Sequence, residues 1–389
     1  MILASFFLMS LMSCKKAVDP AVPKPYPTAN ATQTAEESAL FQGDVAAEVL
    51  ESLSSWQNVG TAGFSAGSAS YVSSEIYKGT PYVAFRDAAN SNKATVMKYD
   101  GSSWIIVGTA GFSDGAVSHL SLKVYNAVPY VAFNDSANNS RATVMKYSGS
   151  SWVNVGAAGF SAGNASRVSL QIYYGTVYVG FSDSTNGGRA TVMKYSAGNW
   201  GYVGEAGFSA ASATYFSLQM YNGILYAAYA DVANEYKATV MKFNGTGWEY
   251  VGSPGFSEGR VSKVSQEIYD GTPYLIFSDH AHGEKMTIMR YNGKNWETVG
   301  QPGFSSGLFS EVSLQIYNGR PYAAFDDNKQ FLRATVMRYN GTEWKNVGMA
   351  GFSASGAEEI KLKVISGISY VAYVDNSKAN KITVMRFGP

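Results

Sequence analysis

One position in a repeated segment of the chain changes its side chain from one copy to the next. The residue before it is a serine or threonine in six of the seven copies. Hydroxyls beside aromatic, basic and acidic side chains are suited to binding a polar ligand, although a solvent-exposed position could also vary freely. We predict a ligand-binding rim, called the rim below, made of Tyr71, His119, Arg167, Tyr215, Lys263, Glu311 and Glu359.

Metal binding is a second chemistry that the sequence raises. His280 and His282 stand between Asp279 and Glu284, and imidazole with carboxylate can bind zinc. The corresponding turns of the other copies contain no histidine, and side chains in a tight turn can diverge. We therefore predict no metal site, and the sequence suggests no cofactor.

Catalysis is the third chemistry, and its usual motifs are missing. The sequence has no zinc-protease helix motif, nucleophile elbow or phosphate-binding glycine loop. Glu311 with Glu359, or Asp326 with Asp327, could form the carboxylate pair of a glycan-processing hydrolase at a channel mouth. Nearly identical copies favour binding over one catalytic centre, so we predict no catalytic residue and keep the hydrolase as an alternative.

The elements that position these residues come from a 48-residue repeat. Between residues 71 and 108, four short runs rich in Val, Ile, Tyr, Phe and Thr alternate with Gly, Pro, Asn or Asp. Such runs predict strands, and Asp100-Gly101 is typical of a hairpin turn. Four antiparallel strands in 40 to 50 residues make one propeller blade. The repeat is marked by all the tryptophans of the chain: Trp56, Trp104, Trp152, Trp200, Trp248, Trp296 and Trp344.

The two ends of the repeat region are out of phase by one strand. The region opens with a strand of the fourth type at Trp56 and ends with one of the third type at residues 382–387. Pairing of these two strands would close seven four-stranded blades into a ring and leave no free sheet edge. The predicted fold is all-β, a seven-bladed β-propeller over residues 54–389.

This pattern resembles the tandem-repeat propellers of bacteria. A tryptophan strand that follows a turn, as at Trp104, is similar to the spacing of Kelch repeats. The doubled glycine of Kelch blades and the Trp-Asp dipeptide of WD repeats are absent. The resemblance implies a fold and no particular activity.

Residues that recur in every copy are interpreted as architecture. Large aromatics that occur once per blade usually fill the gaps between blades, whereas sugar-stacking tryptophans would have to be exposed. An aspartate also recurs, and a Lys or Arg follows it six positions later at the other end of the same hairpin. We expect this pair to tie the turn together. The aspartates are Asp87, Asp135, Asp183, Asp231, Asp279, Asp327 and Asp375.

The N-terminal region predicts where in the cell the protein is located. Residues 1–13 are apolar but too short to span a bilayer, and they are typical of a signal peptide. Leu11-Met12-Ser13-Cys14 resembles the lipobox of bacterial lipoproteins, which implies lipidation of Cys14; the alternative is an incidental cysteine after an ordinary start. Residues 14–33 form a proline-rich linker, and residues 34–53 a short amphipathic helix with a capping box at its start.

Charge and cysteine content narrow the function further. The 30 basic and 29 acidic residues give a net charge of +1, which argues against nucleic-acid binding, and one cysteine excludes a disulfide scaffold. We predict a lipid-anchored protein of the bacterial envelope, at the outer membrane or cell surface, that binds a glycan or an envelope protein. A purely structural or docking module is a further alternative. The membrane is contacted through the lipid only, and the oligomeric state stays open.

Overall fold

Seven four-stranded antiparallel sheets make up the propeller in the computed structural model, which describes residues 55–388. The inner strands of successive sheets contact one another, and the first of them, Ala69–Tyr77, also contacts the last, Ala357–Ile365. The ring is therefore closed, and the predicted all-β, seven-bladed propeller is confirmed. The predicted segments 1–13, 14–33 and 34–53 lie outside the described residues. None of the helices within residues 55–388 has the length and apolar character of a membrane span.

The strand bounds follow the 48-residue repeat from blade one to blade seven. The inner strands are Ala69–Tyr77, Val117–Tyr125, Ala165–Tyr173, Ala213–Tyr221, Val261–Tyr269, Val312–Tyr317 and Ala357–Ile365. The second strands are Thr80–Asp87, Val128–Asp135, Thr176–Asp183, Ile224–Asp231, Thr272–Asp279, Arg320–Asp327 and Ile368–Asp375. The third strands are Lys93–Tyr99, Arg141–Tyr147, Arg189–Ser196, Lys237–Phe243, Lys285–Tyr291, Arg333–Tyr339 and Lys381–Phe387.

The outer strands are shorter, and one of them comes from the other end of the repeat region. In blades one to six they are Trp104–Ile106, Trp152–Asn154, Asn199–Tyr202, Trp248–Tyr250, Trp296–Thr298 and Trp344–Asn346, and in blade seven Gln57–Asn58. Single turns of 3₁₀ helix join the second and third strands at Ala88–Asn90, Ser136–Asn138, Ser184–Asn186, Val232–Asn234, His280–His282, Asn328–Gln330 and Asn376–Lys378.

The closing strand is short but is held at both ends. Gln57 lies opposite Arg386 in the ladder, and the N–H of Val59 donates to the carbonyl of Val384 over 2.8 Å. Trp56 stacks on Phe352 with the ring centroids 3.8 Å apart. The predicted pairing of the Trp56 strand with the C-terminal blade is thus confirmed.

The hydrophobic core is divided into layers between neighbouring blades. In the layer between blades two and three, Ala132 and Val144 of one sheet pack against Leu170 and Phe181 of the next. Small side chains on one sheet face large ones on the other, so the two sheets can approach closely without leaving voids. The same division recurs around the ring, for example where Ala228 faces Phe277.

The tryptophans join blades, as predicted from their spacing. The indole N–H of Trp104 donates to the carbonyl of Val59 over 2.7 Å, and its ring stacks on Phe64 with the centroids 4.1 Å apart. Both partners belong to the segment that links blade seven to blade one. Because one ring face is covered and the N–H is used, these residues are not exposed platforms for sugar rings.

The recurring aspartates are architectural, but the partner predicted for them is wrong. Asp231 is buried and accepts hydrogen bonds from the N–H of Ala233, the amide of Asn234 and the hydroxyl of Thr239. Lys237 lies opposite Asp231 in the ladder. Among the described residues, no aspartate of the series forms an ion pair with the basic residue six positions later. The carboxylate needs nearby donors because it is desolvated, and neutral donors of the turn reach it instead.

Candidate ligand-binding surfaces

Each rim residue stands where the inner strand begins, and six of the seven occupy a β-bulge. In blade two, for example, the pairing register shifts between Ser118 and Ser121, with His119 inside the shift. The bulged residue has a positive φ between 50° and 56° in six blades, at Tyr71, His119, Arg167, Tyr215, Lys263 and Glu359. A left-handed backbone costs a residue other than glycine about 1 kcal/mol. A bulge also redirects the side chain that it carries.

Blade six departs from this geometry. Its inner strand starts only at Val312, and the N–H groups of Ser310 and Glu311 each donate to Oδ1 of Asp326 over 2.8 Å. Burial raises the pKa of the Asp326 carboxyl, and these backbone donors oppose that rise. Asp326 therefore has a structural role that its sister positions lack, because they carry no carboxylate.

Neighbouring members of the rim contact one another along one arc. The rings of Tyr71 and His119 have their centroids 5.4 Å apart, and the guanidinium of Arg167 lies 4.7 Å from the ring centre of Tyr215. Lys263 turns away toward blade six, where its ammonium donates to the carbonyl of Phe309. The structure thus brings together the rim members of blades one and two, and those of blades three and four.

The acidic arc of the rim is tied to the protein itself. A carboxylate oxygen of Glu359 accepts the N–H of Val72 over 2.5 Å, and Glu311 lies 3.8 Å from the ammonium of Lys361. Burial raises the pKa of Glu359, although Lys361 and the backbone donors act in the opposite direction. Of the second carboxylate pair, Asp327 caps its turn by accepting the N–H of Lys329. Glu359 and Asp327 are therefore held by structural partners, whereas the side chain of Glu311 is 46% exposed and lies near Lys361.

Unused hydrogen-bonding capacity collects beside Tyr71. Nδ1 of His119 and Nε of Arg86 are buried and have no hydrogen-bond partner in the described part of the chain. The Arg86 guanidinium lies 5.9 Å from the ring centre of Tyr71. Burial, together with the nearby charge of Arg167, lowers the pKa of His119, so this imidazole is neutral at pH 7.

The two histidines considered as metal ligands diverge. Nδ1 of His282 lies 2.9 Å from Oδ2 of Asp279, whereas Nδ1 of His280 lies 3.4 Å from Glu284. His282 takes the place that Asn234 holds in blade four, where the asparagine amide donates to Asp231. Within residues 55–388, no group of three or more His, Cys, Asp or Glu side chains is arranged to hold a metal ion.

A ring of charged and amide side chains, not predicted from the sequence, lies on the inner strands four positions after the rim. Lys123 and Lys363 each place their ammonium 3.5 Å from the same carboxylate oxygen of Glu75. Burial opposes ionisation of Glu75, but the two lysines outweigh it and lower its pKa. The alternation along each inner strand was the signal that could have identified this ring: Glu75, Lys123, Gln171, Gln219, Glu267, Gln315 and Lys363.

A cleft lies between blades four and five, at the end of the inner strands opposite the rim. It encloses about 460 Å³. Within it, Nε of Arg290 donates to Oε1 of Glu297 over 2.7 Å, and the amide of Asn292 donates to Oε2 over 3.0 Å. We call it the 4/5 cleft, and its lining includes Tyr226, Lys242, Asp270, Pro273, Tyr274, Arg290, Tyr291 and Glu297.

Comparison with known proteins finds structures of similar fold but assigns the chain to no family. Neither a protein-family model nor a curated protein matches the chain. An ulvan lyase, which is a polysaccharide lyase, is similar with a TM-score of 0.52 and 10% identity, over 82% of this chain and 94% of that one. A lectin of Aleuria aurantia in complex with α-methyl-L-fucoside has a TM-score of 0.50 and 15% identity, over 73% and 96%.

A third similar structure is a prolyl endopeptidase. Its TM-score is 0.52 with 12% identity, over 92% of this chain and 55% of that one. A lyase, a lectin and a peptidase thus share this architecture at low identity. The likeness establishes a shared fold, and function has to be argued from the sites of this chain.

Proposed function

We propose that the protein is a non-catalytic, envelope-anchored propeller that binds a glycan at the rim. The observation that carries this proposal is the position of the rim residues. Six of them hold a large side chain on a left-handed bulge, where glycine would be less strained. Strain that persists at one place in blade after blade points to a role beyond folding.

The chemistry of the arc from blade one to blade four suits sugar hydroxyls. Tyr71 and Tyr215 offer ring surfaces with a polar tip, and Arg167 offers several N–H donors. His119 is neutral because burial lowers its pKa, so it acts there as a hydrogen-bonding group without charge. Within residues 55–388, Nδ1 of His119 has no hydrogen-bond partner, and a polar ligand or water could satisfy it after a small side-chain shift.

We propose that the protein is not catalytic because of the contacts that the rim carboxylates make. A hydrolase needs two carboxyl groups that are free to exchange protons or attack the sugar. Glu359 accepts a backbone N–H from blade one, and Glu311 lies beside Lys361. These contacts favour structural roles. The alternative, a glycan-processing hydrolase, predicts release of new reducing ends that stops in Glu311→Gln or Glu359→Gln.

The envelope address is part of the same proposal. Lipidation of Cys14 and the proline-rich stretch after it would hold the propeller away from a membrane surface, where envelope glycans are within reach. The residue after Cys14 is Lys15, not the aspartate associated with retention in the inner membrane. In a Gram-negative host this favours the outer membrane.

A glycan array probed with the purified full chain in detergent tests the function. We expect a hit whose affinity falls at least tenfold in the rim variant Arg167→Ala/Tyr215→Ala. The matched control is Tyr174→Ala, which removes a tyrosine that is 84% exposed at the other end of the inner strand. A hit that both proteins bind equally would place the glycan elsewhere. An empty array would refute glycan binding and leave an envelope protein, sought by pull-down, as the partner.

A further inference from the structure

We propose that the 4/5 cleft is a separate binding site for a neutral sugar residue. The cleft lies where the inner strands end and the rim lies where they begin, so the two are distinct surfaces. This proposal rests on the proposed function in one respect: both assume that the ligand is a glycan, and the cleft would be a second place to bind it. The volume of the cleft, about 460 Å³, falls within the range of roughly 300 to 1,000 Å³ found for small-ligand sites.

The cleft coincides with departures from the repeat. A basic residue recurs on the third strand of every blade, and Glu stands opposite it only in blades four and five, as Glu249 and Glu297. At the turn after the inner strand, only blade five has an aspartate, Asp270. Two of these acidic side chains, Asp270 and Glu297, line the cleft, and the third, Glu249, pairs with Lys242 of the lining.

The charges of the lining balance. Within the lining, Lys242 and Arg290 contribute +2, and Asp270 and Glu297 contribute −2, which leaves zero. Outside the lining, Glu249 lies 3.2 Å from the ammonium of Lys242 and pairs with it. The Arg290 hydrogen bond lowers the pKa of Glu297, so this carboxylate stays ionised at neutral pH. A ligand with a net charge would have to compete with the existing ion pairs Lys242–Glu249 and Arg290–Glu297. A neutral molecule with several hydroxyl groups can donate to the carboxylates and accept from the cations.

The Arg290–Glu297 pair is oriented to present both kinds of group. Each group keeps unused positions, because the guanidinium has five N–H donors and a carboxylate has about four lone-pair sites. The side chains of Arg290 and Glu297 are 50% and 39% exposed, so solvent or a ligand reaches them. At the same cleft, the hydroxyl of Tyr221 donates to Oδ1 of Asp270 over 3.2 Å and orients that carboxylate.

Aromatic surface completes the cleft. The half-buried ring of Tyr291 lines it and can pack against the C–H face of a pyranose while polar groups bind its hydroxyls. Tyr226 and Tyr274 are each 6% exposed, and with the buried Pro273 they support the cleft from below. Tyr291 is backed by Trp296, with the ring centroids 5.7 Å apart, which limits its movement. A preformed wall lowers the entropy cost of binding a small ligand.

The test uses substitutions that the other blades already contain. Asp270→Asn introduces the asparagine found as Asn222 and Asn318, and Glu297→Gln copies the arrangement in which Gln57 faces Arg386. The double variant should therefore fold, and an unchanged thermal midpoint verifies this. The control is Glu343→Gln, which removes a carboxylate that is 64% exposed and lies beside Lys345 in blade six, outside the cleft.

Titration calorimetry with methyl glycosides of glucose, galactose, mannose, fucose and N-acetylglucosamine provides the readout, with glucuronate as the anionic comparison. We expect one neutral glycoside to bind with one site per chain at the cleft. Its affinity should fall at least tenfold in Asp270→Asn/Glu297→Gln and stay unchanged in Glu343→Gln.

The outcomes separate this proposal from the proposed function. Neutral-sugar affinity that survives in the cleft variant would overturn the cleft assignment, and so would stronger binding of glucuronate than of any neutral glycoside. If binding then disappears in the rim variant, the proposed function stands and the second site does not. If neither these glycosides nor any glycan on the array binds, both proposals are wrong.

Discussion

The N–H of Val72 donates to the Glu359 carboxylate over 2.5 Å, and this bond joins the first blade of the ring to the last. The two residues are 287 positions apart in the chain. Glu359 belongs to the set of side chains proposed to bind ligand, yet here it holds the first and last blades together. The contact that closes the ring and the rim therefore share a residue. Substitutions at Glu359 should be measured for stability before they are interpreted as effects on binding.

Glu359 should make the stability of the ring depend on pH. Burial raises its pKa above the ordinary value of 4.5. Between that value and the raised one, the folded chain holds a proton that the unfolded chain has lost, so stability should fall as pH rises through this window. Urea midpoints measured from pH 4 to pH 8 should show the fall, and Glu359→Gln should flatten it. An equal slope in both proteins would contradict the assignment.

His119 should make stability depend on pH in the opposite direction. Burial lowers its pKa below 6.5, so the unfolded chain binds a proton more readily just below that pH. Stability should therefore rise as pH increases toward 6.5 and change little above it. His119→Asn keeps a residue that tolerates the left-handed backbone and should remove this slope. The two urea series are compared at matched ionic strength, and a slope that persists in the variant would show that another group causes it.

The closing strand should be more sensitive than its two-residue ladder suggests. Trp56→Ala removes the stack on Phe352 and the bond to the carbonyl of Val347, and we expect a loss of about 3 kcal/mol in the free energy of unfolding. Trp56→Phe keeps an aromatic ring and loses the N–H donor, so about 1 kcal/mol is expected. Equilibrium urea unfolding measures both. Equal losses would mean that the ring stack contributes little.

Substitutions at one of the recurring aspartates can show whether it stabilises the fold by capping its turn or by forming an ion pair. Asp231→Ala leaves the donors of Ala233, Asn234 and Thr239 without their acceptor, and we expect a loss of about 3 kcal/mol. Lys237→Ala removes the residue opposite and should change stability by less than about 0.5 kcal/mol. Thermal and urea unfolding of both variants provide the comparison. A large effect at Lys237 would restore the ion-pair interpretation.

Cys14 should decide where the protein resides. Cys14→Ser removes the only thiol of the chain, and with it the proposed acceptor of lipid. We expect the wild type in the membrane fraction with a lipid-sized mass increase at its N terminus, and the variant in the soluble fraction. Cell fractionation and intact-protein mass spectrometry measure this. A wild type without added mass would refute the lipoprotein prediction, whatever its fraction.

Much of the architecture can be predicted from the repeat, since Trp56 and its six sister tryptophans at 48-residue spacing predict blade number, strand order and closure. The hydrogen-bond partners of the recurring aspartates could not be predicted in this way. In a strand pair, Asp231 and Lys237 are opposite each other, but the side chain of Asp231 turns into the 3₁₀ turn, where neutral donors lie closer than the ammonium. Local hydrogen-bond competition of this kind depends on backbone dihedrals that spacing does not report.

The proposed binding surfaces were also only partly predictable from the sequence. From the sequence alone, the variation at Tyr71 and its sister positions identifies the rim, because a repeat makes any exception visible. Only the tertiary structure shows that this position is a left-handed bulge, and only the tertiary structure places Asp270, Arg290 and Glu297 around one cleft. These residues come from separate turns and strands of blade five, and the cleft exists because blade four packs beside them. Sequence periodicity determines what each blade is, whereas the packing of one blade against the next decides which side chains share a site.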